Sequence, residues 1–425
     1  MKKPFAAILA GLLVSSFALT GCTVEKESGD NTTVKPFTPT LDTEASLDIE
    51  VASFFGNFEA LDQVINHFND FYPNVRITYN QYGSTSGDFL KENPAIDIMM
   101  TSNERGYSEE YCVDLTAENV DTSAFQESVL AGNLKEGRLY SLPMGLKLNG
   151  LVVNKTLLAK EGLSVPQTWQ EFLSACETLK QKGFTPIQGP DSALSVMIYD
   201  MNMCLAKNDP ALLNAITQND AEGAAKLQTV YQRLIDLRDN GYYSSSVNAE
   251  YPANNYDGAI LKFFEGNVPF WFCDTEKVSG MKKREVKSEA FIANSFEYEF
   301  IYSPMGDNGA YAYVEPWYGF AANKNSDVKD YAVEFLRFLA RDSELNTLAG
   351  VKGIPSATKI SSDDKYKNLN DAKIELSLVN DMSVPGCIAN NLHLATDKLV
   401  SGETMTAESM LAFYLEKCYS DLHAE

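Results

Sequence analysis

The sequence predicts an α/β protein, and three observations carry that expectation. Leu47-Asp48-Ile49-Glu50-Val51 alternates apolar and polar side chains, the period of a half-buried strand. Leu61, Val64, Ile65 and Phe68 then share one helical face, and Val75-Arg76-Ile77-Thr78-Tyr79 alternates again. The stretch Gly137–Trp169 repeats the theme. Leu139, Tyr140 and Leu142 make a short strand that Pro143 stops, a long bend follows, and Leu151-Val152-Val153 makes a second strand running into a helix at Asn154-Lys155. A chain of 425 residues with 44% hydrophobic and 22% charged residues is globular and long enough for two or three domains.

The N-terminus comes first in order. Lys2-Lys3 precedes an apolar run from Pro4 to Leu19 that is too short to span a bilayer comfortably, followed by Leu19-Thr20-Gly21-Cys22. This looks like a bacterial lipobox. It predicts a signal peptide over 1–21, cleavage before Cys22 and a lipid (palmitate) on the Cys22 sulfur; the alternative is an ordinary signal peptide in which Cys22 is incidental. Residues 22–45 are rich in Thr, Pro and charge without apolar periodicity, so they read as a flexible tether.

Within the domain, Ile96-Asp97-Ile98-Met99-Met100 reads as a buried strand, with Thr101 to Arg105 as its exit loop. Thr168 is placed to cap a helix carrying Phe172, Leu173, Cys176 and Leu179, with Glu171 three residues later completing a capping box. Residues 170–182 and 221–239 are amphipathic helices. Phe263 to Trp271 is a helix end that Gly266 turns into an apolar strand. Tyr331 to Leu339 sets Ala332, Phe335, Leu336 and Leu339 on one helical side, and the tail from Asp381 to Leu422 is helical apart from Val384-Pro385-Gly386.

The order of these segments resembles a known family. Leu142-Pro143, a strand ending in Asn154-Lys155, then Gly162-Leu163, Pro166 and Thr168-Trp169 is similar to the extracellular solute-binding proteins of bacterial ABC importers, family 1, sugar-binding type. Pro73-Asn74-Val75, Val113-Asp114-Leu115-Thr116, Trp317-Tyr318-Gly319-Phe320-Ala321-Ala322-Asn323-Lys324 and Gly353-Ile354-Pro355 match further family segments in order. The resemblance spans essentially the whole chain after residue 45. It implies a two-lobed, periplasmic-binding-protein-like fold of type II, each lobe a mixed sheet flanked by helices, with a hinge of three crossings. The implied lobes are 46–146 plus 318–352, and 147–317 plus 353–425. It also implies a lipid-anchored receptor on the outer face of the cytoplasmic membrane that hands a carbohydrate or related polar solute to an ABC transporter permease, without cofactor.

Ligands of open α/β sheets bind beyond the carboxyl ends of the strands, and two such sheets facing each other make a cleft. With the resemblance, this nominates Phe55 and Asn57 after the first strand, Asn103, Glu104 and Arg105 after the third, Lys147 at the first crossing, Asp274 and Glu276 after Trp271, Trp317 at the second crossing, and Asn390 with its neighbour Asn391. Each has a bland alternative. Phe55 is equally a core residue, and Glu104, Arg105 and Lys147 are equally solvated charges. Trp169 and Trp271 read as core, and Asp97 as a clamp on loop amides. Glu276 stands where the family often has a stacking Trp, and this loss together with the gain of Lys147, Asp274 and Glu276 points to a polar solute, charged or amine-bearing.

Composition also excludes classes. A net charge of −23 without a basic patch argues against nucleic acid. After Cys22, Cys112, Cys176, Cys204, Cys273, Cys387 and Cys418 form no C-x-x-C pair, so a zinc site is not expected and buried free thiols are favoured over disulfides. The rival function is a secreted, lipid-anchored glycoside hydrolase using two carboxylates. Among 58 acidic residues such pairs carry no information, whereas G-x-S-x-G and H-E-x-x-H motifs are missing and only His67, His393 and His423 are present. A binder rather than an enzyme is the expectation.

Overall fold

The computed structural model describes residues 36–102, 107–131, 133–189, 205–206, 209–243, 256–307, 309–359, 374–378, 388, 391, 398 and 405–423. Two mixed sheets organise them. The strands are β1 (Leu47–Ser53), β2 (Val75–Gln81), β3 (Ile98–Thr101), β4 (Leu134–Lys135), β5 (Arg138–Leu139), β6 (Leu142–Pro143), β7 (Leu146–Asn154), β8 (Ile187–Gln188), β9 (Phe270–Asp274), β10 (Tyr298–Tyr302), β11 (Ala310–Pro316), β12 (Gly319–Ala322) and β13 (Ile374–Leu378). The first sheet runs β2-β1-β3-β12-β6 and the second β13-β11-β7-β9-β8, with β10 also paired to β7. β1 is parallel to β2 and β3, so its carboxyl end and theirs open on one side.

The helices used below are α1 (Glu59–Asn69), α2 (Lys155–Lys160), α3 (Trp169–Gln181), α4 (Lys226–Asp239), α5 (Thr275–Glu285), α6 (Lys329–Leu339), α7 (Asp342–Lys352) and α8 (Ala407–Leu422). The predicted face of α1 is the buried one, and it packs with Phe335, Leu336 and Leu339 of α6 on Ile49 and Val51. The opposite face of the first sheet buries Ala52, Met99 and Ala321 against Phe89 and Leu90. The second sheet is likewise covered on both sides. Phe270 and Phe272 pack under α3, α4 and α8, while Trp271 and Cys273 pack against Phe263 and Phe264. Trp169 and Trp271 are core residues, as read from sequence.

Several boundaries differ from the sequence reading. The bend expected before Leu151 is strand. Leu146 and Leu148 are buried in alternation, and β7 extends over nine residues because β9, β10 and β11 all pair with it. The 221–239 helix starts only at Lys226. Thr168 does cap α3, accepting from the Glu171 N–H at 3.3 Å, but the Glu171 carboxylate reaches the Gln167 N–H at 2.7 Å rather than closing the box on Thr168 itself. Of the 381–422 tail, the described residues show α8; the Val384-Pro385-Gly386 break lies outside them.

The lobes join at a narrow seam. Only Met144-Gly145 separates β6 of the first sheet from β7 of the second, and only Trp317-Tyr318 separates β11 from β12. These links run side by side: the Met144 N–H donates to the Tyr318 carbonyl at 2.8 Å and the Trp317 N–H to the Gly145 carbonyl at 2.9 Å. The Leu146 N–H donates to the Pro355 carbonyl at 2.9 Å, bringing the third passage into the same place. Residues 354–359, expected in the second lobe, stay on the first. Ile354 and Ala357 are buried in its core, and the Ala357 carbonyl accepts from the Gln126 N–H at 3.1 Å.

Candidate functional site

A cavity of about 390 Å³ lies over this seam, within the size range of small-molecule sites. One wall is the loop after β1 and the start of α1, with Phe55, Asn57, Phe58 and Glu59; the other is the first turns of α5, with Glu276, Ser279, Gly280 and Lys283. Tyr318 and Lys352 line it as well. Both walls follow the carboxyl ends of strands.

The local chemistry fixes each wall. Ser53 Oγ accepts from the Phe55 N–H at 2.9 Å, and the Tyr79 hydroxyl accepts from the Phe58 N–H at 3.0 Å while donating to Asp62 Oδ1 at 3.0 Å. This satisfies a helix-start donor that Phe58 has no side chain to cap. On the other wall Asp274 is the N-cap of α5. Its Oδ1 accepts from the Lys277 N–H at 3.0 Å, and its Oδ2 pairs with Lys277 Nζ at 3.0 Å. Thr275, fully buried, accepts from the Leu148 N–H at 3.1 Å and ties the helix start to β7.

An aromatic cluster fills the floor. Trp317 is 4% exposed and stacks on Phe55 with centroids 5.6 Å apart at 22°; Phe58 meets it edge-on at 6.1 Å and Tyr318 at 4.8 Å. The Trp317 indole N–H donates to Glu276 Oε1 at 2.5 Å, a bond across the seam. The Lys352 ammonium, on the last residue of α7, lies 4.3 Å from the Phe55 ring centre and 5.2 Å from that of Trp317. Burial pushes its pKa down, opposed by Glu276 and reinforced by Lys283 and Arg284. At the rim, Lys283 of α5 pairs with Glu59 of α1 at 3.0 Å, a second bond between the lobes.

The predicted residues therefore separate. Phe55, Asn57 and Glu276 line the cavity and Trp317 underlies it. Asp274 shapes the wall as a cap. Lys147 is a half-buried β7 residue in register with Glu315 and is not among the described residues that line the cavity. Asp97 is structural, accepting from the Glu50 N–H at 2.8 Å and from Ser326 Oγ at 2.6 Å. Asn391 is buried and donates to Asp421 at 2.8 Å. Asn103, Glu104, Arg105, Asn390 and Cys22 lie outside the described residues. Cys112, Cys176 and Cys273 are buried free thiols, Cys418 is buried beside Asn391, and Cys204 and Cys387 are outside the described residues. His67 pairs with Glu344 at 2.8 Å, and no cluster able to hold a metal occurs among the described residues.

The sequence missed Lys352, Lys283, Ser279 and Tyr318. Tyr318 and Lys352 adjoin segments read as crossings, which was a usable signal. Lys283 needed the helical register of α5, since 276, 279, 280 and 283 share one face. A larger cavity, about 750 Å³, lies on the other side of α5 along β10, lined by Tyr298, Phe300 and Tyr302. It is built from one lobe and includes none of the predicted residues, so the smaller, two-walled cavity is the candidate.

Residues 55–344 match the profile of the family described as bacterial extracellular solute-binding protein. The chain is 24% identical over 401 residues to the melibiose/raffinose/stachyose-binding protein MelE of Bacillus subtilis (strain 168), covering 88% of this chain and 87% of that one. Among solved structures it is similar to a probable secreted solute-binding lipoprotein from Streptomyces coelicolor, with TM-score 0.66, 16% identity, and 88% and 98% of the two chains covered. It is also similar to a sugar transporter protein from Bacillus licheniformis in complex with stachyose, with TM-score 0.61, 16% identity, and 89% and 100% covered.

Proposed function

The chain belongs to the bacterial extracellular solute-binding protein family, and on that premise we propose that it captures a carbohydrate between its lobes and delivers it to the permease of an ABC importer. The observation that carries this reading is the seam cavity. Phe55, backed by the buried Trp317 ring, offers an apolar surface, Asn57, Glu276, Ser279 and Lys352 offer hydrogen-bonding groups around it, and the walls belong to different lobes. Sugars present both an apolar ring face and hydroxyls, and such a mixed lining suits them. The named ligands of MelE, melibiose, raffinose and stachyose, support the same class.

Phe55, Asn57, Glu276 and Trp317 are the proposed ligand-site residues, and Lys352 joins them. The lobes are 46–146 plus 318–352 and 147–317 plus 353–425, with 354–359 and the Trp317 ring packed on the first. Residues 1–21 are the signal peptide, Cys22 carries the lipid, and the segment from 22 tethers the lobes to the outer face of the cytoplasmic membrane. Its end, read from sequence as flexible up to residue 45, is instead packed on the first lobe from Phe37 onward, where Phe37 is buried against Phe71 and Phe338 and Thr40 bonds Glu334. Mass spectrometry of the membrane-associated protein should find a diacylated N-terminal Cys22. A thermal-shift screen over mono-, di- and trisaccharides tests the binding: at least one should raise the melting temperature at micromolar concentration and be recovered chemically unchanged. Turnover of the sugar, or no shift with any saccharide, would defeat the reading.

A further inference from the structure

We infer that the captured saccharide is acidic, and that Lys352 selects it by pairing with its carboxylate. This rests on the carbohydrate reading above and narrows it.

Lys352 is placed unlike the other cations of the cavity. Lys283 is paired with Glu59 at 3.0 Å, and Arg284 with Asp257 at 2.6 Å. The Lys352 ammonium makes no hydrogen bond or ion pair with the described residues; its neighbours are the faces of Phe55 and Trp317. The nearest carboxylate in the lining, Glu276, is held by the Trp317 indole. The C-terminus of α7, capped by Gly353 at φ +75°, supplies a dipole that favours a cation there.

Charge points the same way. The chain carries −23 overall, and the other cations in the described lining each have a carboxylate of their own, Lys283 with Glu59 and Arg284 with Asp257, whereas Lys352 feels only the more distant charge of Glu276, which the Trp317 indole already engages. Closing the lobes over a solute desolvates that ammonium further, which is costly unless the guest supplies an opposite charge. A carboxylate fits better than a phosphate, because a doubly charged phosphate is best met by bidentate Arg forks and the one Arg in this lining is engaged by Asp257. Of the rings beside the ammonium, Phe55 lines the cavity and provides the apolar surface that a pyranose meets.

The test compares matched pairs by titration calorimetry on the purified full chain: glucuronic acid with glucose, and trigalacturonic acid with galactotriose. The acidic member of a pair should bind about tenfold or more tightly, the range of one charge-assisted contact, and the margin should shrink as salt rises. Lys352→Met keeps the stem and removes the charge, so the acid-to-neutral ratio should fall toward one; Lys352→Arg should restore most of it. Wild-type protein that binds the neutral member equally or more tightly overturns the inference while leaving the carbohydrate reading intact. Retention of the acid preference in Lys352→Met also overturns it. Absence of binding to any saccharide overturns both.

Discussion

Trp317 performs two tasks that a single substitution separates. Its ring supports Phe55, and its indole N–H holds Glu276 across the seam. Trp317→Phe keeps an aromatic floor and deletes the bond, so unfolding in urea should show a loss of about 1.5–3 kcal/mol, the range for a hydrogen bond to a charged group. The ligand-induced melting shift should shrink with it. A second buried residue gives a pH signature. Glu334, 3% exposed, accepts from the Tyr72 hydroxyl at 2.6 Å, the Thr40 N–H at 2.9 Å and the Arg337 guanidinium at 2.8 Å. Burial raises its pKa, but the bonds from Arg337, Tyr72 and Thr40 outweigh burial and hold it below the ordinary 4.5. A depressed carboxylate stabilises the fold fully above its unfolded value, and that contribution is lost as pH falls through the folded value. Melting curves should therefore place wild type well above Glu334→Gln at neutral pH, and the two should converge below about pH 4.5. At this scale the sequence was legible wherever residue type settled the environment, as with Trp271 and Asp97. Lys352 was illegible because its role depends on Phe55, nearly 300 positions earlier, lying under its ammonium.

Elements were legible where their own period was strong: β1, β2, α1 and α6 appear at the places their alternation or helical faces dictated. β7 was not, because Pro143 and Gly145 stand just before it and Gly150 within it, and local rules read such residues as a bend. Pairing overrode them. Gly150 stays in strand because β10 approaches so closely that a Cβ there would meet the Ile301 carbonyl and the Phe300 ring. Asp274 was read as a ligand group from its position after an apolar strand, and that same position makes it a helix cap. The two roles predict opposite outcomes. As a cap, Asp274→Ala should cost about 1–2 kcal/mol, while Asp274→Asn, an equally good cap, should keep most of the stability and the binding. As a direct charged contact to the solute, Asn would fail in binding while the fold held. Paired urea and calorimetric titrations of both variants decide it.

At the scale of the molecule, two lobes joined by three touching passages can rotate about the seam, and whatever bridges the seam sets how far they stand apart. The motif order conveyed that plan because each match lay between recognisable neighbours. It misplaced residues 354–359, whose partners Ala124 and Gln126 lie more than two hundred residues upstream. Side-chain bridges among the described residues span the seam, including the buried Trp317–Glu276 bond and the Lys283–Glu59 pair at the rim. The rim pair has both side chains more than half exposed, so it adds little to fold stability and is weakened by salt. Its leverage is on closure, since a solute binding both walls must bring α1 and α5 together. Lys283→Glu sets two carboxylates against each other there. It should lower sugar affinity by a few fold at low salt, with less effect at high salt, and leave the melting temperature of the free protein nearly unchanged. Adding Glu59→Lys restores the attraction with reversed sign and should recover the affinity. Recovery assigns the pair to closure; a double variant no better than Lys283→Glu would mean that Lys283 instead meets the solute itself.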